Sequence, residues 1–202
     1  MTNIEPQEIT EREEVLLRSM FPQGKDLTIK EIMKKTLYTS YERNNTYLRS
    51  LAQKKAIEKR KVGKTLVYSL MPRSWASKKA FHAYALEKAK KFSDKHKLIS
   101  RALGELPQEE TEVIIVFGSY AKNTQRKDSD IDVLIVSSEK GKTENILASL
   151  KRRYGLHIHA IVISKSEFVN IKKENKELWD SLVMQGILFK GYEFFYYHAY
   201  ET

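Results

Sequence analysis

The sequence predicts an α+β protein built in three parts: an N-terminal region of three helices and a hairpin, one long connecting helix, and a C-terminal mixed sheet with flanking helices. Capping patterns before apolar residues at helical spacing predict the N-terminal helices. Apolar residues recur at helical spacing through residues 74–103 and predict the connecting helix. Two apolar runs rich in β-branched residues, 113–117 and 131–136, predict buried strands. We therefore expect three parts at residues 1–72, 73–106 and 107–202.

The composition is that of a folded chain without metal-thiolate or disulfide chemistry. Of 202 residues 41% are hydrophobic, and two Trp, eight Phe and eleven Tyr argue against disorder. There is no Cys, which excludes a disulfide framework and a zinc-cysteine site. Residues 1–14 are polar and acidic, unlike a signal peptide, and no apolar run approaches the length of a membrane span. We expect a soluble, cytoplasmic protein with no membrane partner.

Three helix starts and a hairpin follow one another in the N-terminal region. Thr10 with Glu13 and Thr28 with Glu31 form capping boxes, and Ser40 caps a third helix that runs to about residue 54. Two strands, 56–60 and 65–70, then enclose a basic turn. This arrangement resembles a winged helix-turn-helix domain, in which the third helix enters the DNA major groove and the wing touches the backbone.

Positive charge is concentrated in the same region. Residues 1–110 have a net charge of +9, residues 111–202 have +1, and residues 28–70 alone have +8. Such a concentration indicates a polyanion partner, most simply DNA. The resemblance then implies DNA contacts from the third helix, at Ser40, Tyr41, Arg43, Asn45, Tyr47 and Arg49. It also implies contacts from the wing, at Lys59, Arg60, Lys61 and Lys64. A solvated basic face on a protein–protein winged helix is the alternative.

A second pattern lies between the two predicted buried strands. Gly118 and Ser119 form a turn after the first strand, while Asp130 and Asp132 stand at the start of the second. Side chains two apart on a strand share a face, and two neighbouring carboxylates require a positive partner such as Mg²⁺. Backbone N–H groups of the Gly-Ser turn could hold a phosphate. The pattern predicts a Mg-nucleotide site.

Gly-Ser, ten residues and Asp-x-Asp resemble the signature of the DNA polymerase beta-like nucleotidyltransferase superfamily in its minimal form. The resemblance spans residues 108–196, and Ala121 and Ser129 also fit it. It implies that Asp130 and Asp132 bind catalytic Mg²⁺ or Mn²⁺. It further implies transfer of a nucleoside monophosphate from ATP or another NTP to a protein, RNA or small-molecule hydroxyl, with release of pyrophosphate. The implied nucleotide-binding residues are Gly118, Ser119, Lys122 and Ser129.

Two positions depart from the superfamily pattern. Asn123 stands where Gly is common, but Asn tolerates left-handed backbone angles. A third carboxylate, which activates the attacking hydroxyl in active relatives, is replaced on the strand 156–162 by His159, with His157 as the alternative position. A histidine could act as a base near neutral pH. It could also mark a site that binds nucleotide without chemistry, or simply the polar face of a half-buried strand.

Three functions are therefore open. The first is a Mg-dependent nucleotidyltransferase combined with a DNA-binding winged helix, and the second is a DNA-binding regulator that binds nucleotide with little or no turnover. The third is a protein–protein module. Minimal relatives are often antitoxins paired with a helical nuclease toxin, so the resemblance also implies a helical partner protein. The aromatic tail, 187–197, is expected to add an edge strand and to bury its rings against a neighbouring element or in a homodimer.

Overall fold

The computed structural model describes residues 8–201 and has the α+β architecture that the sequence predicts, with two separate sheets in this range. The chain divides into two compact units. The first contains the described residues up to Tyr84 together with Tyr200 and Glu201, and the second is Ala85–Ala199. Residues 1–7 and 202, which belong to the predicted first and last domains, lie outside the described range. No helix within residues 8–201 is long and apolar enough to cross a membrane.

The first unit begins with three helices and an antiparallel hairpin, as predicted. Thr10 and Thr28 form the expected capping boxes, and the Ser40 side chain accepts a hydrogen bond from the Arg43 backbone N–H. These contacts satisfy N–H groups that a helix start leaves without partners. The elements are α1 (Glu11–Met20), α2 (Ile29–Lys34), α3 (Tyr41–Gln53), β1 (Ile57–Val62) and β2 (Thr65–Leu70).

The core of the first unit lies between these helices and one face of the hairpin. Leu16, Ile32 and Leu48 are fully buried, and Tyr68 of β2 is 1% exposed. Next to this core, the almost fully buried carboxylate of Glu13 accepts hydrogen bonds from Lys54 Nζ at 2.8 and 3.0 Å. The ion pair ties the start of α1 to the residue that ends α3.

The predicted single connecting helix is wrong in one respect, because the chain forms two helices. They are α4 (Trp75–Lys95) and α5 (Lys97–Gly104), and His96 between them leaves the helical region at φ −125° and ψ 54°. The His96 ring contacts Phe92 at 4.6 Å and Tyr120 at 5.4 Å between ring centroids. No Gly or Pro marks the break, so the sequence held no local signal for it. The boundary between the two units falls within α4, after Tyr84.

The second unit contains a mixed sheet with flanking helices, which confirms the predicted class. Its strand order is β5-β4-β3-β6, with β4 and β5 parallel and the other neighbours antiparallel. The elements are β3 (Thr111–Phe117), α6 (Gly118–Lys122), β4 (Ile131–Ser137), α7 (Lys140–Tyr154), β5 (Ile158–Ile163), α8 (Lys165–Glu174), α9 (Lys176–Gln185), β6 (Ile187–Lys190) and α10 (Tyr192–Tyr196).

Burial explains why the two central strands read as continuous apolar runs. Val116 of β3 and Val133 of β4 are completely covered, and the core around them includes Leu103 of α5 and Leu147 of α7. A central strand covered on both faces needs apolar side chains at successive positions. The polar ends of β3 and β4 are therefore the places where functional side chains can emerge from the sheet.

Helix α9 is attached to α4 through a half-buried lysine. Lys88 Nζ donates hydrogen bonds to the carbonyl oxygens of Gln185 and Gly186, at 2.8 and 3.0 Å. These carbonyls lie at the C-terminal end of α9, where the helix dipole favours a cation. Burial lowers the pKa of Lys88 to about 8.

The C-terminal tail adds the predicted edge strand, but only over β6, and the rest of the tail is helical. Strand β6 ends at Lys190 because Gly191 adopts φ +83°, where a Cβ would lie 2.4 Å from the Glu112 carbonyl oxygen. The helix α10 and a π-helical segment, Tyr197–Glu201, follow. Phe195 is buried and its ring lies 6.3 Å from that of Trp179, so this part of the aromatic cluster packs inside its own unit. Tyr197 remains 52% exposed.

Candidate functional site

Gly118 and Asp132 are fitted closely together at the end of the two central strands. Phe117 pairs in register with Asp132, which brings the following residue, Gly118, over the Asp132 carboxylate. Gly118 has φ +67°, and a Cβ on it would lie 2.0 Å from Asp132 Oδ2. Both the backbone angle and the space therefore require glycine. The glycine of the predicted phosphate turn is thus also the residue that admits a predicted metal ligand.

The other oxygen of Asp132 contacts the histidine that replaces the third carboxylate. His159 is the parallel-strand partner of Asp132 on β5, and its Nδ1 lies 3.2 Å from Asp132 Oδ1. The His159 side chain is 66% exposed and that of Asp132 is 26% exposed. His157 lies just before β5 and binds the sheet through its backbone carbonyl, which accepts from Ile131 N at 2.7 Å. Of the two histidines, His159 is the one that contacts an aspartate.

Asp130 lies on the same side of the sheet edge as the two histidines. It is exposed, it precedes β4, and it lines a cleft of about 450 Å³ together with His157, His159 and the basic residues Lys151 and Arg152. Within residues 8–201, no group of three or more His, Asp or Glu side chains is placed to hold a metal ion. A hard cation at the Asp130–Asp132 pair would need substrate phosphate or water to complete its coordination.

The other predicted nucleotide-binding residues lie around the short helix α6 and the loop after it. Asn123 ends α6 at φ 57° and ψ 36°, which is the left-handed conformation expected for this position. The Ser119 carbonyl accepts from Thr124 N at 3.0 Å, and Lys122 is exposed. Ser129 Oγ accepts from Arg126 N at 2.8 Å, so it stabilises the turn before β4. None of Ser119, Lys122 and Ser129 lines the cleft that contains Asp130.

Lys151 and Arg152 are the cleft residues that the sequence reasoning missed. Both belong to the last turn of α7, where they form a basic run with Arg153. Arg153 differs from them because its guanidinium donates to Glu105 Oε2 at 2.5 Å. The signal that could have found them is the position of this run, immediately before the strand that carries His159.

Comparison with known proteins supports the assignment of this half of the chain. Residues 96–181 match the family model of the nucleotidyltransferase domain. The matched residues include Gly118, Ser119, Asp130, Asp132 and His159, and the match confirms the predicted nucleotidyltransferase domain in the C-terminal half. No curated protein matches the chain. A solved structure titled "Crystal structure of the toxin-antitoxin with AMP-PNP" is 18% identical over 52% of this chain and 84% of that chain, with a TM-score of 0.38.

Before the nucleotidyltransferase domain, the predicted DNA contacts on α3 fall into two groups. Arg43 and Arg49 are exposed, and Tyr41 is 54% exposed. Asn45 and Tyr47 are partly buried, and the Tyr47 hydroxyl accepts from Arg12 Nη1 at 3.2 Å. Ser40 is the helix cap described above. The two arginines are therefore the most accessible cations among the candidates on α3.

The hairpin places its predicted contacts on different faces. Lys59 and Lys61 share one face of β1, whereas Arg60 points to the other, because successive strand side chains alternate. The Arg60 guanidinium binds Asp26 Oδ1 at 2.6 and 3.0 Å, and this hydrogen bond holds the pKa of Asp26 below its ordinary value. Lys64 lies in the turn and is exposed. Arg60 thus differs from the three lysines in having an internal carboxylate partner.

Proposed function

We propose that the C-terminal unit is a nucleotidyltransferase that transfers a nucleoside monophosphate from ATP or another NTP to an acceptor hydroxyl. The observation that carries the proposal is the placement of Asp132 between Gly118 and His159, inside the nucleotidyltransferase match. One carboxylate oxygen faces the predicted phosphate turn and the other contacts a candidate base. The Asp132 side chain therefore lies between the predicted binding site of the nucleotide phosphates and the candidate base for the acceptor hydroxyl.

The donor set fits a divalent cation such as Mg²⁺ or Mn²⁺. Asp130 and Asp132 would hold it, since Mg²⁺ takes one or two carboxylates and completes its octahedron with water and phosphate oxygens. Because Gly118 has no side chain, Asp132 Oδ2 can lie against the predicted phosphate turn, and this placement supports the fit. When bound, the ion would neutralise charge on the triphosphate and on the leaving pyrophosphate.

The residues of the chain then have distinct tasks. Gly118 and Ser119 would orient the triphosphate through backbone N–H groups, and Lys122 would add positive charge beside them. The acceptor oxygen forms a bond to the α-phosphorus while the bond from that phosphorus to the bridging oxygen breaks, and pyrophosphate leaves. With Nδ1–H donating to Asp132 Oδ1, the Nε2 atom of His159 has the free lone pair that accepts the hydroxyl proton.

Asp132 and the two histidines give a matched test. Calorimetry of ATP binding should show Mg-dependent binding in the wild type that is lost in Asp132→Asn. Transfer of α-labelled phosphate from ATP to macromolecules of a cell extract should fall about 100-fold in His159→Ala, the scale of general base catalysis. His157→Ala should stay close to the wild type, because His157 does not contact Asp132. Absence of Mg-dependent binding of ATP, GTP, CTP and UTP by the wild type would refute the proposal.

A second candidate function is favoured by the histidine at the position of the third carboxylate. On this alternative the chain is a DNA-binding regulator, antitoxin-like in its organisation, that binds nucleotide with little or no turnover. The exposed Arg43 and Arg49 on α3 support a DNA-facing helix. Mg-dependent ATP binding without any label transfer, together with DNA affinity that changes when ATP is added, would favour the regulator over the enzyme.

We also propose the division of the whole chain into three parts. These are a winged helix-turn-helix in residues 1–72, a connecting segment in residues 73–106 and a nucleotidyltransferase part in residues 107–202. The three helices followed by an antiparallel hairpin support the first of them. A helical partner protein and a homodimer remain predictions of the sequence resemblance.

A further inference from the structure

The sheet of the second unit ends in two edge strands, β5 and β6. An edge strand presents unpaired backbone N–H and C=O groups to other chains, and soluble proteins protect such edges with charged side chains, short strands or bends. Strand β6 is only four residues long and stops at the bend of Gly191. In the hairpin, the edge strand β1 has charged side chains at residues 58–61. Of these three edges, β5 is the one without such protection.

Strand β5 has the composition of a strand that pairs on both sides. It reads Ile-His-Ala-Ile-Val-Ile and contains no Lys, Arg, Asp, Glu, Pro or Gly. Segments of about six residues with high β-propensity, little charge and no Pro are those that readily pair with further strands. Ala160, Ile161 and Val162 are only partly buried. The single chain therefore leaves apolar surface of this strand in contact with water.

The backbone of β5 has hydrogen-bonding groups on both sides of the strand. The His157 carbonyl accepts from Ile131 N at 2.7 Å and so faces β4. In a strand, the N–H and C=O of one residue point to the same side, and those of the next residue point to the other. The residues that direct these groups away from β4 are Ile158, Ala160 and Val162. Across residues 8–201, no hydrogen bond reaches the backbone groups of these three residues on that side.

We propose that β5 pairs antiparallel with β5 of a second copy of this chain, across a two-fold axis at Ala160. In this register Ile158 of each copy lies opposite Val162 of the other, and Ala160 lies opposite its own equivalent. Each of these pairs exchanges two backbone hydrogen bonds. The two four-stranded sheets then form one continuous sheet.

A second copy suits this edge because the edge is complementary to itself. The register centred on Ala160 places every outward-facing residue in a hydrogen-bonded pair, so no outward donor or acceptor is left over. The smallest side chain of the strand lies on the axis, and a pair of β-branched residues, Ile158 with Val162, lies on either side of it. Charge does not oppose the contact, because residues 111–202 have a net charge of only +1.

The pairing also changes the surroundings of His159. In the same register His159 lies opposite Ile161 of the second copy, as a non-hydrogen-bonded pair whose Cβ atoms are about 4.5–5.5 Å apart. The His159 side chain is 66% exposed in the single chain. Ile161 of the second copy therefore covers one side of the ring that contacts Asp132. This interface is separate from the aromatic tail, where Phe195 packs inside its own unit.

Sedimentation and amide hydrogen exchange of the full chain test the pairing. Sedimentation should show a dimer within about 1 μM to 1 mM, a range that covers strong as well as weak association. In the dimer, the N–H groups of Ala160 and Val162 should exchange as slowly as those of His159 and Ile161, which already bond β4. In the monomer, the first two should exchange at least about tenfold faster than the last two.

Ala160→Pro is the variant that removes the pairing. Its missing N–H is an outward one, and proline is tolerated on an edge strand where the N–H would face solvent, so the ladder to β4 is kept. The variant should be monomeric over the whole concentration range. Tyr197→Ser, which removes an exposed ring from the aromatic tail, is the matched control and should remain a dimer.

Engineered cysteines test the register and decide the question even if Ala160→Pro does not fold. The chain has no cysteine of its own. His159→Cys/Ile161→Cys should form disulfides between copies, because the Cα atoms of a non-hydrogen-bonded pair are about 4.5 Å apart, within the disulfide range. Ile161→Cys alone should not form a disulfide, since its equivalent in the second copy lies on the diagonal, about 7–8 Å away.

The outcomes separate this interface from other contacts between copies. A monomer at every concentration, or equal disulfide formation in the double and single cysteine variants, would overturn the pairing. A dimer that survives Ala160→Pro and dissociates in Tyr197→Ser would overturn it in favour of the aromatic tail. None of these measurements involves a nucleotide, so their result is independent of the transfer reaction proposed above.

Discussion

Gly118 shows how a single backbone position can determine the geometry of the candidate site. Other glycines also adopt positive φ, including Gly155 at +61°, but there a Cβ would meet no atom within 4 Å. At Gly118 the same Cβ would lie 2.0 Å from Asp132 Oδ2. The position therefore has two requirements, the left-handed backbone and the missing side chain, and only the second concerns the carboxylate.

Gly118→Ala and Gly155→Ala separate these two requirements. Each variant should lose about 1–2 kcal/mol of unfolding free energy, because alanine is strained in the left-handed region, and Gly118→Ala should lose more because its Cβ overlaps the Asp132 carboxylate. Only Gly118→Ala should also displace the Asp132 carboxylate and slow nucleotidyl transfer about 100-fold, the usual effect of a misplacement of about 1 Å. Denaturant unfolding measures the first effect, and label transfer from ATP measures the second. Equal transfer rates in the two variants would show that the close approach of Gly118 and Asp132 has no catalytic role.

How far the site could be predicted differs from residue to residue. Gly118, Asp130 and Asp132 were found because their types and spacing are visible along the chain. The contact between His159 and Asp132 depends on the parallel register of β4 and β5, which brings together residues that are 27 positions apart. Lys151 and Arg152 were missed because their importance comes from the cleft and from the carboxylate partners of their neighbours. Spacing along the sequence predicts which functional groups one segment contains, whereas the packing of the folded chain determines which other groups they contact.

At the scale of elements, helix starts were predictable and one helix end was not. The capping boxes of α1, α2 and α8 form within four residues, so the sequence contains all of their information. The break at His96 instead follows ring contacts with Phe92 and with Tyr120, which lies 24 positions along the chain on α6. The early end of β6 likewise depends on the close fit of Gly191 against Glu112 of β3.

The capping residue Glu13 gives a prediction for the stability of the first unit. Burial alone would raise the pKa of Glu13, but hydrogen bonds with Lys54, Ser50 and Thr10 outweigh it and hold the pKa below the ordinary value of 4.5. The stabilisation is therefore fully present above pH 4.5 and is lost as pH falls through the lower pKa of the folded state. Glu13→Gln should cost about 3 kcal/mol at neutral pH, because Lys54 loses a buried partner.

Glu31→Gln is the matched control, since Glu31 forms the same type of capping box at an exposed position without an ion pair. Its loss of unfolding free energy should be clearly smaller. Denaturant unfolding between pH 3 and pH 7 gives the pH dependence, and amide hydrogen exchange of Glu11–Met20 localises the loss to α1. If wild type and Glu13→Gln lost stability in parallel below pH 4.5, the Glu13–Lys54 pair would not be the source of acid sensitivity.

At the scale of the whole molecule, positive charge and candidate chemistry lie in different halves of the chain. Residues 28–70 have a net charge of +8, whereas residues 111–202, which contain the nucleotide motif, have +1. The net formal charge, however, overstates the number of cationic side chains that a polyanion can bind. Arg60 is bound to Asp26, and Lys54 is bound to Glu13, so part of the basic region is used in internal ion pairs.

This difference gives a prediction for DNA binding by the full chain. Binding to a duplex should weaken with salt, and Lys61→Gln/Lys64→Gln should reduce the slope of log affinity against log salt by up to about 0.9 for each contact. Arg60→Gln should change the slope much less, because its guanidinium is already paired with Asp26. Fluorescence anisotropy at several salt concentrations measures both. Equal reductions of the slope per cation in the two variants would mean that DNA displaces Asp26 from Arg60. Unchanged slopes in both variants would place the polyanion site on α3, and Arg43→Gln/Arg49→Gln should then abolish the salt dependence.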